Sequence, residues 1–452
     1  VTGGPDKRRV LAPFRGAIAR AASAALLLRV VNLFLGLTTT VILGGVLGAE
    51  GFGVYAVGLA AAAIVAGLSQ SGLSPQILKA AAAAKELSDW AALNGARRMA
   101  AIAPLLLAGI VSAPAIYVIA VVADGAGSPY WIAAALGGVI APFALADACA
   151  NALLRGIGKS AIAFAPRFVI MQSAYLILVL GCMQWATLTP VSALLCFIAA
   201  WVIALGAAWC WIVRAWPAPA RRVKPRLDGR QWRRSVFYTT IAGIGGILFG
   251  HVETFALSAF ASPVEVGLYA MAFRFAQFVS FPVFALSSGL APVATAAIAA
   301  GRLEEARRKT ILAARTAAAA AGAGAVFLAI IGAHLFPAIH ADFSGAYWIM
   351  NILAAGLVFQ ATLGYPLIFI VIYGAEKTAS LVAAIVTIVG LCFITLLTAL
   401  FGAHGAATAG ALSGAALILS RWVVLYRLTG IRNDIFAAPE KSSAPIAHPA
   451  NA

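Results

Sequence analysis

The sequence predicts an all-α polytopic membrane protein, with twelve transmembrane helices in two six-helix lobes related by a pseudo-twofold axis along the membrane normal. Three observations carry this prediction. Of the 452 residues, 63% are hydrophobic and only 10% charged, at a mean hydropathy of +0.96, whereas soluble chains carry about 25% charged residues. This balance argues against a water-soluble enzyme. Apolar runs twice the length of a barrel strand recur without alternation, which favours helices over a β-barrel. Landmarks of the first half also return in the second half at nearly constant offset.

A membrane-spanning helix needs about 20 mostly apolar residues. Twelve runs meet that requirement: 24 to 47, 53 to 78, 100 to 122, 131 to 154, 160 to 184, 189 to 213, 235 to 260, 267 to 298, 311 to 335, 347 to 373, 379 to 401 and 405 to 426. The expected organisation is an N-terminal segment (1–23), a first lobe (24–213), a basic linker (214–234), a second lobe (235–426) and a tail (427–452). The Ala-, Pro- and Ser-rich stretch 437–452 is expected to be disordered.

The charges fix an expected orientation. The chain carries 32 Lys+Arg against 15 Asp+Glu, a formal net charge of +17. Twenty-seven of the basic residues fall in the N-terminal segment, the even-numbered loops and the tail; the opposite loops hold none. By the positive-inside rule both termini are cytoplasmic and the number of spans is even. The excess is a topology signal, so nucleic acid is not an expected partner, whereas anionic lipid heads are expected at the central linker. All five cysteines lie within spans, so no disulfide framework is indicated. The first apolar run is long enough to span and lacks a clear small-residue cleavage site, so no cleavable signal peptide is expected.

Three landmarks recur. Gly53-Val54-Tyr55-Ala56 and Gly267-Leu268-Tyr269-Ala270 are separated by 214 positions. Tyr130-Trp131-Ile132 and Tyr347-Trp348-Ile349 are separated by 217, and Gly156-Ile157-Gly158-Lys159-Ser160 and Gly374-Ala375-Glu376-Lys377-Thr378 by 218. Their common order argues for a duplicated six-span lobe. Because six is even, both copies keep one orientation, and such pairs commonly enclose a central cavity exposed alternately to each side. The Tyr-Trp pairs sit where an interfacial aromatic belt belongs and are read as anchors.

Enzymatic motifs are not found. Gly158-Lys159-Ser160 ends like a phosphate-binding loop, but Leu153 stands where that motif needs glycine and no strand precedes it. The five histidines are scattered, with no zinc-ligand spacing, so no metal or cofactor is expected. The outer loops are too short for a catalytic domain.

Ionisable groups inside spans are costly and mark functional candidates. Asp147 and Arg167 lie ten residues either side of residue 157, at similar depth, about 10 to 15 Å from the loop at 1.5 Å per residue. Glu253 and Arg274 are equally spaced about the loop joining spans 7 and 8. Each acid is therefore placed to pair with the arginine of the next helix. Structural ion pairs and cavity-facing groups that exchange partners, with one acid carrying a proton, are both compatible with this placement. His251 is a lesser candidate for proton handling. Arg315 and Arg421 lie near the inner ends of their spans, where snorkelling is the simple reading. Arg29 and Asn32, with Gly36 and Thr39 or Thr40, form a polar stripe on the first span that suits a wet cavity. An arginine there can bind phosphate bidentately.

Val46-Leu47-Gly48-Ala49-Glu50-Gly51-Phe52-Gly53-Val54-Tyr55-Ala56 resembles the LLGPEGFGLYA signature that follows the first span of bacterial polysaccharide and O-antigen flippases. These form the Wzx-like branch of the multidrug/oligosaccharidyl-lipid/polysaccharide (MOP) exporter superfamily. Glu253, fourteen positions before Gly267-Leu268-Tyr269-Ala270, also resembles the acid of that family's seventh span, and the likeness covers about residues 20 to 430. Ala49, where proline is common, is a departure. The resemblance implies translocation of an undecaprenyl-diphosphate-linked oligosaccharide from the cytoplasmic to the periplasmic leaflet of the bacterial inner membrane. It implies alternating access around a cationic cavity, coupled to an ion or proton gradient, with polysaccharide polymerase and glycosyltransferases as further partners. Arg29, Asn32, Arg167, Arg274 and Arg315 then become candidate phosphate or sugar contacts, and Asp147, Glu253 and His251 candidate coupling or gating groups. A cation-coupled drug or metabolite antiporter of the same superfamily and an integral membrane glycosyltransferase or ligase are the alternatives. The excess of embedded arginines over acids weighs against the first, and the duplication and short outer loops against the second.

Overall fold

The computed structural model describes residues 7–123, 129–226, 236–237, 240, 251–299, 302–373, 376–430 and 432–437. Among these residues there are helices and turns but no strand. Nine stretches among the described residues are long and apolar enough to cross a membrane. Two of them are double: α1 (Lys7–Glu86) breaks at Gly48 and α13 (Glu376–Thr429) at Gly402. At φ of 63° and 57° these two glycines adopt a left-handed conformation that side-chain-bearing residues resist. The described helices thus cover eleven of the twelve predicted spans; the seventh falls largely outside the described residues, which keep only α8 (Val252–Phe260) of it.

Several expected loops are shorter in the structure. The turns at 48–52 and 402–404 shrink to breaks at one glycine, because the flanking residues remain helical. Between spans 2 and 3, helix α1 runs on to Glu86 and α2 (Trp90–Leu107) starts almost at once. Asp89 caps α2, accepting a hydrogen bond from the Ala92 amide at 3.0 Å.

The chain divides into two compact units, Val1–Thr39 with Ala61–Ile244 and Thr40–Ala60 with Gly245–Ala452. In the first, α2 continues through a π-helical segment (Ala108–Ser112) into α3 (Ala113–Ala123), followed by α4 (Pro129–Gly156). The short α5 (Ser160–Ala163) and a second π-helical segment (Pro166–Met171) lead into α6 (Gln172–Trp185), then α7 (Pro190–Ala215). Helix α4 is the central element, packed against α2, α3 and α7, and its Leu145, Cys149 and Leu153 join Ile77, Leu93 and Ile212 in one core. The start of the basic linker is fastened here. Trp216 donates to Asn94 Oδ1 (3.1 Å), and the buried Asn94 amide donates to the carbonyls of Ala220 (2.5 Å) and Val223 (2.8 Å).

In the second unit α9 (Pro263–Ala299) packs on α10 (Leu303–Ile339) and α11 (Ala346–Thr362), and α13 packs on α8, α11 and the short α12 (Pro366–Ile372). Thr40–Ala60, which the sequence reading assigned to the first lobe, packs with this unit. The repeat glycines explain why. A Cβ on Gly53 would overlap the Pro263 carbonyl and lie 2.9 Å from the Gly267 nitrogen, while one on Gly267 would overlap the Ala49 carbonyl. The two backbones cross where side chains would keep them apart. Phe52 completes the contact edge-on to Phe343, at 6.0 Å between ring centroids.

Beyond α13, residues 432–437 fold back as a strap; the stretch expected to be disordered, 437–452, lies outside the described residues after Ala437. Asp434, buried, accepts from Arg432 Nε (3.1 Å) and Nη2 (3.1 Å), Trp422 Nε1 (3.0 Å) and the Phe436 amide (2.9 Å). Ile435 donates to the Thr362 carbonyl at 3.1 Å. Burial alone would push the Asp434 carboxyl up, but the Arg432, Trp422 and Phe436 donors outweigh it and hold it below the usual carboxylate range. Its stabilising contribution is therefore complete above the unfolded carboxylate pKa of about 4 and is lost as pH falls through the lower folded value. Asp434→Asn should cost about 1 to 3 kcal/mol. A thermal melt of the purified protein at neutral pH reads this, and an unchanged midpoint would count against the strap as a fastened element.

Candidate functional site

In the first unit the side chains of interest converge on the second π-helical segment. Such one-turn insertions displace side chains from their helical register and recur at functional sites. Here the segment carries Arg167 and Phe168. The Arg167 guanidinium lies over the Trp201 ring at 5.8 Å, and the Arg29 guanidinium lies over Phe168 at 6.0 Å. Both distances fall in the range of cation–π contact. The two guanidiniums are close enough for their charges to interact, and Arg167 also feels the Asp147 carboxylate. Asp147 itself is buried, at 2% exposure.

Asp147 and Arg167 are thus neighbours, as their equal depth predicts, but no contact ion pair joins them among the described residues. The guanidinium lies over the Trp201 ring. Arg167 is in charge interaction with a second arginine and with one recessed carboxylate, so the cluster of three is net positive. A guanidinium lying over a ring still presents a planar fork of donors at its edge, the geometry that suits phosphate oxygens.

Asn32 lies on the same helix as Arg29 and is partly buried. The face continues at Gly36, whose Cα edge approaches Gln172: a Cβ there would sit 3.5 Å from Gln172 Nε2. Thr39 does not extend the polar stripe. Its hydroxyl donates to the Leu35 carbonyl at 2.8 Å and its side chain is buried. The sequence reading missed Phe168, Trp201 and Gln172. Apolar and amide residues in a span give no charge signal.

In the second unit Glu253 is buried near the start of α8, at 4% exposure. A Cβ on Gly410 would come within 3.0 Å of Glu253 Oε1, so the absence of a side chain there makes room for the carboxylate. The fully buried Tyr269, first noticed only as a repeat landmark, lies within electrostatic reach of Glu253. His251 precedes α8 and lies within reach of Arg274. Arg274 is exposed and has no contact ion pair among the described residues, so the predicted Glu253–Arg274 contact is not formed on the arginine side.

Arg315, read from the sequence as a snorkelling residue or a phosphate contact, makes two hydrogen bonds to the tail. Its Nε donates to the Ile435 carbonyl (2.9 Å) and its Nη2 to the Ala437 carbonyl (3.1 Å). The guanidinium holds the tail strap. Among the described residues no group of three or more His, Cys, Asp or Glu is arranged to hold a metal.

Residues 18–298 match the family described as polysaccharide biosynthesis protein, more than half of the chain. The chain belongs to this family. Its fold is that of MOP-superfamily transporters, and it is a multi-pass membrane protein. An inward-facing multidrug resistance MATE family transporter of the MOP superfamily aligns at TM-score 0.68 and 13% identity, covering 91% of this chain and 97% of that one. Its outward-facing counterpart aligns at TM-score 0.59 and 16% identity, covering 91% and 96%. A MOP superfamily transporter from Pyrococcus furiosus, described as having a binding pocket of reverse polarity, aligns at TM-score 0.61 and 15% identity, covering 91% and 93%. No protein of curated function matches the sequence. This member of the polysaccharide biosynthesis family therefore shares its architecture with transporters.

Proposed function

We propose that the protein is a flippase that carries an undecaprenyl-diphosphate-linked oligosaccharide from the cytoplasmic to the periplasmic leaflet of the bacterial inner membrane. The observation that carries this reading is the cationic cluster of the first unit, Arg29 beside Arg167, each stacked on an aromatic ring. A diphosphate and its sugars cannot cross hydrocarbon without polar partners, and paired planar guanidiniums match two phosphoryl groups. Cationic drugs would find like charge here, which weighs against the antiporter alternative. Transport proceeds by alternating access, and Glu253, buried beside Tyr269 and Gly410, together with Asp147 is the candidate for coupling to an ion or proton gradient, His251 being secondary. The membrane's anionic lipids, the polysaccharide polymerase and the glycosyltransferases that build the substrate are the expected partners.

The test is made in cells depleted of this chain. The lipid-linked oligosaccharide should accumulate and remain shielded from a membrane-impermeant reagent added to the periplasmic side. Full accessibility of the accumulated lipid to that reagent would overturn the proposal.

A further inference from the structure

Arg155, at the end of α4, was counted in the sequence only as one of many loop charges, yet it begins an ordered series. Its guanidinium lies over the Phe164 ring at 5.5 Å. Phe164 is stacked on Phe168, with centroids 5.7 Å apart and planes inclined by 10°. Phe168 in turn lies under Arg29 at 6.0 Å. The order is cation, ring, ring, cation, and it joins the basic end of the unit to the Arg29–Arg167 cluster.

The series is held in place from both sides. Asn151, one helical turn before Arg155, donates to the Ala163 carbonyl at 2.7 Å and fixes the start of span 5 against α4. Lys85 donates to the Ile157 carbonyl at 2.7 Å and fixes the turn between them. Arg155 is exposed and has no carboxylate partner among the described residues, so its charge is not neutralised within the protein. A cation resting on a ring has its position restricted without losing its donors. A snorkelling arginine that only escapes lipid needs neither a stacked phenylalanine pair nor a second cation at the far end of it.

We infer that Arg155, positioned by Phe164, is an outer anion subsite that receives the diphosphate head group and passes it past the edges of the Phe164–Phe168 pair to Arg29 and Arg167. This deepens the flippase reading and rests on it. The chemistry recognised is a lipid-borne diphosphate, held by one exposed guanidinium for capture and by two recessed ones for binding. Capture and binding then separate kinetically. Removing a steering charge slows association and weakens its salt dependence, while leaving the bound state intact.

The experiment uses full-length protein in vesicles with farnesyl diphosphate as the binding probe and a labelled lipid-diphosphate oligosaccharide as the transport substrate. Arg155→Gln should slow probe association roughly three- to tenfold and raise the half-saturating substrate level by a similar factor, with maximal transport near wild type. Arg155→Lys should recover part of the association rate, since charge returns without the planar stack. Phe164→Leu, which alters no charge, should act in the same direction as Arg155→Gln but less strongly. If Arg155→Gln binds and transports as wild type while Arg29→Ala does neither, the outer subsite is wrong and the flippase reading stands. Should the wild type itself neither bind the probe nor move the substrate, the reading beneath it fails as well. A loss of maximal transport in Arg155→Gln at unchanged association would likewise overturn the subsite, since it would assign Arg155 to the structure of the turn.

Discussion

Arg29→Ala should abolish surface polymer production while the protein stays in the membrane. The side chain sits on span 1, partly buried, stacked on Phe168 and within electrostatic reach of Arg167. Removing one partner of a buried charge-assisted contact costs about 2 to 5 kcal/mol, which is roughly 30-fold or more in occupancy at tenfold per 1.4 kcal/mol. Arg29→Lys should restore a minority of the activity, because the point charge returns without the fork that spans two phosphate oxygens. Arg167→Ala should fall nearly as far. The double variant should be less than additive, since both act on one head group. Polymer output and membrane abundance are measured together. Normal output from Arg29→Ala at normal abundance would remove this residue from the site.

Gly267→Ala acts on folding. The new methyl group would meet the Ala49 carbonyl, and Gly53→Ala would likewise meet that of Pro263. Backbone cannot turn aside as a flexible side chain does, so the cost sits at or above the upper part of the usual overpacking range of about 1 to 3 kcal/mol. Either variant should lose much of its membrane abundance and melt well below the wild type. Gly322→Ala is the control, because a Cβ there meets nothing within 4 Å; in a helix it should be neutral or slightly stabilising. Equal melting of Gly267→Ala, Gly322→Ala and wild type would show that the crossing of the two backbones contributes nothing.

The crossing also shows what a sequence discloses and what it conceals. The likeness of Gly53-Val54-Tyr55-Ala56 to Gly267-Leu268-Tyr269-Ala270 is visible without coordinates, and it points to duplication. That the two copies of one landmark rest against each other is a tertiary fact, and no periodicity encodes it. Span positions were legible because lipid demands long apolar runs. The breaks between paired spans were misread as loops, because a helix needs only one glycine in a left-handed conformation to change direction.

The same division holds for the site. Arginines and acids inside apolar runs announce themselves by their cost, which made Arg29, Arg167, Asp147 and Glu253 visible. Their partners did not follow from depth alone. Arg167 stacks on Trp201 instead of touching Asp147, through a π-helical turn that sequence periodicity does not reveal. The Arg315 bonds to the Ile435 and Ala437 carbonyls carry no sequence signal, because backbone acceptors are the same for every residue type. Arg155 was hidden by its setting, since a basic residue in a loop of this face already has a sufficient explanation in topology.

The most direct measurement is leaflet exchange in sealed vesicles that contain the purified chain as their sole protein, with a lipid-diphosphate oligosaccharide in one leaflet and an impermeant reagent outside. Wild-type protein should bring the substrate to the reagent at a rate that Arg29→Ala and Arg167→Ala both suppress. Exchange at the protein-free rate with wild type, or exchange by both variants as fast as wild type, would contradict an arginine-lined passage for an anionic head group.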